Sequence, residues 1–523
     1  MRLDSTGRAT HLARAWIGAV GPLRLPALPS LTRLELSNER AMAVPASAFA
    51  TPREAGTAGG LQTLQRLSGR IGAAVTRTRL EYVFFVIALA WGVAQVFIVP
   101  PLQVPDEGDH WFRAWALTDG QLTADSQGML TLPGVMARTA DLYTRLVGGP
   151  GGALGLPISL EGQAGFSGYE NLFNAPGPPG TVEVASRVAS YGPIGYVPQA
   201  VGVAIGRLVG APPLTCFYLA RLANLLMAIA LFFLAIRLAP FGKQLIVLLA
   251  LLPMTMFELA SVSCDALTIS GAVFFTSLLL WASTRPTLRR ADVALVLLVA
   301  ALFLDVKPGY WALILLVFLI TPSQLGGRLR YAAFVAGNVL VVVGVSLMFF
   351  LLTGSDARVQ AAGGPHAQLL FILHQPLSFL GIVWSNVREG LLAWTLQSIG
   401  VLGWLSFALP AALYLVALLG GIGFFVRMKE EVRLQPWRRA LLAAVGVALF
   451  LTMAVALYAF LEPLGSDRIY VQGRYLIPVW LLLLLSVYGI GFAQRQLGRL
   501  FMVGVLLVVM VQNLQTLISV YHP

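Results

Sequence analysis

Pro105-Asp106-Glu107-Gly108-Asp109-His110-Trp111-Phe112-Arg113 stands directly after the first membrane-length apolar run, which ends near Leu102. Five ionisable side chains in nine residues, at a bilayer surface, need a physical reason in a chain that is 57% hydrophobic and 11% charged. If Pro105 starts a helix, Asp106 and Glu107 fall in its first turn, where the helix dipole favours negative charge. Asp106 and His110 are then i,i+4 neighbours, and Glu107, His110 and Arg113 follow at i,i+3 steps. One face carries acids, an imidazole and a guanidinium, while Trp111, Phe112 and Trp115 are placed to lie against the interface. The plainer reading is a capped, solvated amphipathic helix, and the rest of the chain decides between the two.

A soluble globular domain carries about 25% charged residues, roughly twice the fraction here. The composition specifies an all-α polytopic membrane protein. The net charge of +12 is read first as topology. No basic cluster is interleaved with aromatics for base stacking, which argues against a nucleic-acid partner. Cys216 and Cys264 lie in or beside apolar runs and provide neither a disulfide framework nor a CxxC metal pair.

Residues 1–80 carry eleven arginines and no lysine, with no apolar run long enough to cross a bilayer and no compact signal-peptide core. We expect a mostly disordered cytoplasmic extension with a short helix near 61–75, followed by a transmembrane domain over 81–523. Spans are expected near 82–102, 215–238, 243–262, 266–284, 291–306, 309–322, 331–353, 404–426, 439–461, 474–493 and 499–520, about eleven in all. Residues 103–214 form the first periplasmic loop, with juxtamembrane helices, and 354–403 the second large one. The short apolar piece 193–209 decides the orientation. If it lies along the interface without crossing, 25 of the 36 Lys and Arg fall on the cytoplasmic side. If it crosses, every later basic loop faces outward, which the positive-inside rule rejects.

Under this topology the polar residues hardest to explain as structure gather on one side. Asp265 ends Ser261-Val262-Ser263-Cys264-Asp265, Lys307 lies in Asp305-Val306-Lys307-Pro308-Gly309-Tyr310, and Gln472-Gly473-Arg474-Tyr475 enters a span from outside. The segment 354–403 adds Asp356, Arg358, His366, His374, Arg388 and Glu389. Ionisable residues at membrane depth mark a site or a paired partner. Each has a plainer role: Asp265 as an N-cap, Lys307 snorkelling to headgroups, Arg474 as a lipid-phosphate anchor. His366 and His374 read as surface loop residues, without zinc-ligand spacing. Together, acids and cations at helix ends suit transfer of a group from an anionic lipid carrier to a hydroxyl. A carboxylate takes the proton while Lys and Arg hold the phosphate leaving group.

At these positions the chain resembles the GT-C superfamily of membrane glycosyltransferases, and most closely the bacterial membrane proteins grouped as domain of unknown function 2142. The resemblance runs from about 80 to 520. It rests on Pro105-Asp106-Glu107-x-x-His110-x-x-Arg113, Tyr191-x-Pro193-x-x-Tyr196-x-Pro198-Gln199, Arg221-x-x-Asn224, Ser261-x-Ser263-x-Asp265, Lys307-Pro308-x-Tyr310 and Gln472-Gly473-Arg474-Tyr475. It implies a GT-C-like bundle in the bacterial inner membrane with its active site facing the periplasm. The implied donor is a polyprenyl-phosphate-linked sugar, transferred with inversion to an envelope glycan or lipid. Asp106 or Glu107 is then the base and Asp265 the second acid, with His110, Arg113, Tyr191, Tyr196 and Gln199 in support. Lys307, Tyr310, Arg474 and Tyr475 are our candidates for the donor phosphate. A divalent cation, Mg or Mn, is left open, with Asp106, Glu107 and Asp265 as its ligands if one binds. The alternatives are a lipid-linked saccharide transporter or flippase, for which no internal repeat is evident, and a non-catalytic assembly subunit.

The charge count makes a direct prediction. A Thr123→Cys variant is labelled by a membrane-impermeant maleimide from the periplasmic side; labelling from the cytoplasmic side alone inverts the topology.

Overall fold

The computed structural model describes residues 78–125, 127–148, 166–188, 191–304, 306–353, 364–424, 434–488 and 497–522. The expected N-terminal extension and its helix near 61–75, as well as Asp305, Asp356 and Arg358, lie outside the described residues. Among them, six helices are long and apolar enough to cross a membrane, and a seventh span results if one bent pair counts as a single crossing.

The elements follow the hydrophobic runs. Helix α1 (Leu80–Ile98) is the first span, and α2 (Glu107–Thr118) follows it. Strand β1 (Met129–Pro133), helices α3 (Ala137–Gly148) and α4 (Phe166–Asn174), and strand β2 (Thr181–Ala185) complete the polar stretch. The two strands pair antiparallel, Met129 opposite Ala185 and Pro133 opposite Thr181. With a second ribbon pairing Val401 and Leu402 with Ala408 and Phe407, these short strands are the departures from an all-α build among the described residues.

Helix α5 (Val197–Leu208) has 12 residues, about 18 Å of rise, too short for a hydrocarbon core of about 30 Å. Its Gly202 lies against α6 (Pro213–Leu238) so closely that a Cβ there would sit 2.4 Å from the Leu219 carbonyl oxygen. Its other flank exposes Val197, Val201, Ile205 and Leu208. The run expected to span 243–262 is broken into α7 (Lys243–Ala250) and α8 (Pro253–Leu259), because Pro253 cannot continue the preceding helix. Helix α9 (Asp265–Ser283) is buried along its length except at Trp281 and forms the centre of the bundle.

Helix α10 (Arg290–Phe303) has 14 residues. The next run winds as a 3-10 helix, Tyr310–Leu319, whose longer rise per residue stretches a short apolar segment further. Gly309 separates the two with φ +95°; a Cβ there would lie 2.8 Å from the Met453 Cα, so the break is specified both by conformation and by the approach of another helix. Helix α11 (Arg328–Thr353) follows.

The stretch 354–403, read in sequence as an outer loop, contains α12 (Gly364–His374) and α13 (Pro376–Gly400), which meet at 102° across Gln375. Pro376 ends α12 and starts α13, and Leu377, Trp384 and Leu392 of α13 are exposed apolar residues. Helices α14 (Ala411–Phe424), α15 (Pro436–Leu461), α16 (Ile477–Val487) and α17 (Leu497–Tyr521) complete the chain. A 3-10 turn, Gly473–Leu476, leads into α16.

Helix α2 does not lie amphipathic on the surface. Trp111 and Phe112 are fully buried and Trp115 nearly so. Trp111 meets Trp115 and Phe217 edge to face, which places α2 inside the protein instead of against the headgroups.

Candidate active site

Asp106 and Glu107 are adjacent in sequence and point to different jobs. Asp106 is the N-cap of α2 and takes a left-handed backbone, φ 62°, uncommon for a residue with a side chain. Glu107, one position inside the helix, is fully buried. Its Oε1 accepts from Arg221 Nε at 2.8 Å and its Oε2 from Arg221 Nη2 at 2.7 Å. The Leu102 and Val262 backbone amides donate to the same carboxylate, at 2.9 and 3.2 Å. Arg221 spends its remaining hydrogens on the Val96, Val99 and Pro100 carbonyls at the end of α1. Neither oxygen of Glu107 is left for a substrate, so this acid braces the site.

The turn between α8 and α9 is secured from the same side. Asn224 Nδ2 donates to the Ser261 and Ser263 carbonyls, at 2.8 and 2.9 Å, and Gln199 Nε2 to those of Val262 and Ser263. This satisfies backbone groups that a broken helix leaves without partners. The turn delivers Asp265 to the first position of α9, one past the cap; Cys264 holds the cap position.

Asp265 joins the cations expected from the sequence. Lys307 Nζ donates to its Oδ1 at 2.6 Å, and Arg474 Nε lies 2.9 Å from its Oδ2, the latter an ion-pair contact without hydrogen-bond alignment. Arg474 also donates from Nη2 to Asp106 Oδ2 at 2.8 Å and from Nη1 to Glu258 Oε1 at 3.3 Å. Lys307 sits 3.9 Å from the centre of the Tyr475 ring, and Arg474 5.1 Å from it. Both cations are buried, so Lys307 does not snorkel and Arg474 is not an exposed lipid anchor. Gly473 permits the approach, since a Cβ there would sit 2.3 Å from the Trp394 carbonyl oxygen of α13.

The other expected residues surround this network. His110 Nδ1 and the Tyr196 hydroxyl share a 2.8 Å hydrogen bond. Arg113 donates to the Gln121 and Leu122 carbonyls, tying α2 to its following loop, and to the Tyr191 carbonyl in the segment before α5. The Tyr310 hydroxyl donates to the Tyr475 carbonyl at 2.9 Å, so Tyr310 positions Tyr475. His366, His374, Arg388 and Glu389 are exposed on α12 and α13, with no contact to the network.

Three participants were not singled out from sequence. Glu258 sits in an apolar run, where an acid is itself a signal. Asp109 is buried and accepts from the Tyr143 hydroxyl at 2.7 Å. Arg187, which follows β2, donates from Nε to Asp109 Oδ2 at 3.1 Å and from Nη2 to Asp106 Oδ1 at 3.3 Å. Its loop position carries no pattern that marks it.

Burial pushes the Asp106 carboxyl up, but Arg474, Arg187, His110 and Lys307 outweigh it and hold the carboxyl below its ordinary value. Burial raises Asp109 despite Arg187, and lowers His110 to about 4 against the pull of Asp265 and Asp106. Among the described residues no group of three or more His, Cys, Asp or Glu is arranged to hold a metal ion. Asp106 and Asp265 face Arg474 while Glu107 faces Arg221, so the three acids do not converge on one point.

The family model described as "Predicted membrane protein (DUF2142)" matches residues 89–483. The chain belongs to this family. No curated protein and no solved structure matches it. The stretch matched to DUF2142 contains the whole network, from Asp106 through Arg187, Glu258, Asp265 and Lys307 to Tyr475.

A depressed His110 pKa has a signed consequence. Between about 4 and its ordinary value the unfolded chain binds the proton and the folded protein does not, so stability falls as pH drops through that window. The shift corresponds to on the order of 3 kcal/mol. A His110→Gln variant should lose that much less stability than wild type between pH 7 and pH 4, measured by denaturant unfolding; parallel losses contradict a neutral His110.

Proposed function

We propose that this DUF2142 protein is a GT-C-type glycosyltransferase of the bacterial inner membrane. It moves a sugar from a polyprenyl-phosphate donor to a hydroxyl of an envelope glycan or lipid at the periplasmic face. The observation that carries the reading is the chain Asp106–Arg474–Asp265–Lys307: an acid with 26% of its side chain exposed pairs with buried Arg474, which Asp265 in turn connects to buried Lys307. Asp106 accepts the acceptor hydroxyl proton as its oxygen bonds to the anomeric carbon. The bond from that carbon to the phosphate oxygen breaks, and the phosphate leaves with the electron pair. Attack opposite the leaving group inverts the anomeric centre. Arg474 keeps Asp106 ionised, and Lys307 with Arg474 supplies fixed positive charge as the phosphate leaves. Glu107 is assigned no proton transfer.

A second reading, a transporter or flippase for a lipid-linked saccharide, draws support from the broken helices. Asp265 and Lys307 both stand at helix breaks, as transporters arrange their binding groups.

Mass-spectrometric profiling of envelope glycans and lipids tests the first reading. A deletion strain complemented with wild type regains a sugar-bearing species absent from the deletion. Asp106→Asn, at equal membrane abundance, fails to restore it, with transfer reduced at least about 100-fold. Full restoration by Asp106→Asn rules out Asp106 as the base.

A further inference from the structure

Three cations serve the network, and they differ in what reaches them. The Arg474 and Lys307 side chains are 1% and 9% exposed, whereas that of Arg187 is 49% exposed. A group arriving from solvent therefore meets Arg187 first. Arg187 is also anchored from behind. Its backbone amide donates to Asp109 Oδ1 at 2.8 Å and its Nε to Asp109 Oδ2 at 3.1 Å. Asp109 is in turn held by the Tyr143 hydroxyl, which also accepts from Arg187 Nη2 at 3.2 Å. The inner edge of the guanidinium is fixed, and Nη1 makes no hydrogen bond among the described residues.

The contact to Asp106 is the weak side of this arrangement. Arg187 Nη2 lies 3.3 Å from Asp106 Oδ1, against 2.8 Å from Arg474 Nη2 to Oδ2. Both Arg187 and Asp106 touch water, where an ion pair is screened. A phosphate offers oxygens spaced for the guanidinium fork and bonds it more strongly than a glancing carboxylate does.

We propose that Arg187 is the docking contact for the phosphate group of the substrate, and that the phosphate takes Arg187 away from Asp106 Oδ1. This rests on the transferase reading above and adds an order of events to it. Before the phosphate arrives, both Asp106 oxygens are occupied by guanidinium groups. Afterwards Oδ2 keeps Arg474 while Oδ1 is bare beside the bound donor, ready to accept a proton. Arrival of the donor and exposure of the base become one event, so an acceptor hydroxyl meets an available base only when a donor is present.

The test reads binding, without turnover. Full-length protein in nanodiscs of neutral lipid is titrated with a polyprenyl phosphate, and separately with inorganic diphosphate, by native mass spectrometry or thermal shift. Arg187→Gln should weaken binding of the phosphate at least tenfold, and Arg187→Lys, which keeps the charge and loses the fork, should fall between it and wild type. Arg207→Gln, whose residue pairs with Asp119 away from the network, should match wild type. Binding of the lipid alone assigns the phosphate to a lipid headgroup; equal, Arg187-dependent binding of diphosphate assigns it to a free anion, and either supports the contact. Unchanged affinity in both Arg187 variants, or no binding of either probe by wild type, overturns it. Arg187-dependent binding together with full complementation by Asp106→Asn would sink the transferase reading while leaving this contact in place.

Discussion

The buried pair of Glu107 and Arg221 is the constraint on which the site depends. Two charged groups with no exposed surface carry a large desolvation cost, recovered only if every hydrogen and lone pair finds a partner. Here they do so by collecting backbone from three places: the carbonyls ending α1, the amide of Leu102, and the amide of Val262 in the turn before α9. The pair therefore joins the first span, the start of α2, helix α6 and the break before the central helix. Asp106 and Asp265, two of the three acids that meet at Arg474, are each positioned by one of those joined segments.

Helix breaks do the rest. A continuous helix satisfies its own backbone and presents only side chains; a broken one places a side chain at its end and requires outside partners for the freed groups. Asp265, Lys307 and Arg474 each stand at such a break, and Asn224, Gln199 and Ser263 supply bonds to the freed backbone at the first of them. The breaks lie in α7–α8–α9, in α10 with its 3-10 continuation, and in the turn leading into α16. They bring charges separated by hundreds of residues within ion-pair distance inside an otherwise apolar bundle.

Much of this was legible in the chain. Spans such as α1, α6, α9, α11, α15 and α17 declare themselves by length and hydropathy alone. Asp265, Lys307 and Arg474 stand out because charge at membrane depth is costly, and the structure brings all three together with Asp106. Other features lacked a signal. The runs 291–306 and 309–322 read as two spans, yet the second is a 3-10 helix, a conformation that periodicity does not distinguish in a uniformly apolar segment. The segment 354–403 reads as an outer loop rich in ionisable residues, and its charges do not reveal that α12 and α13 form a bent helical pair. Asp106 and Glu107 read as interchangeable because adjacency in sequence says nothing of a left-handed N-cap that sends one carboxylate toward water and the other into the core. Arg187 depends on a strand pairing that places it over α2, which no local pattern encodes.

A double-mutant cycle on Glu107 and Arg221, read as unfolding free energy of the purified protein, tests the central claim most directly. Glu107→Gln and Arg221→Met should each cost about 3–5 kcal/mol, since each leaves a buried charge without its partner. The double variant should cost clearly less than the two added together. A Glu107→Gln protein as stable as wild type would contradict the bracing role and return Glu107 to the list of candidate bases.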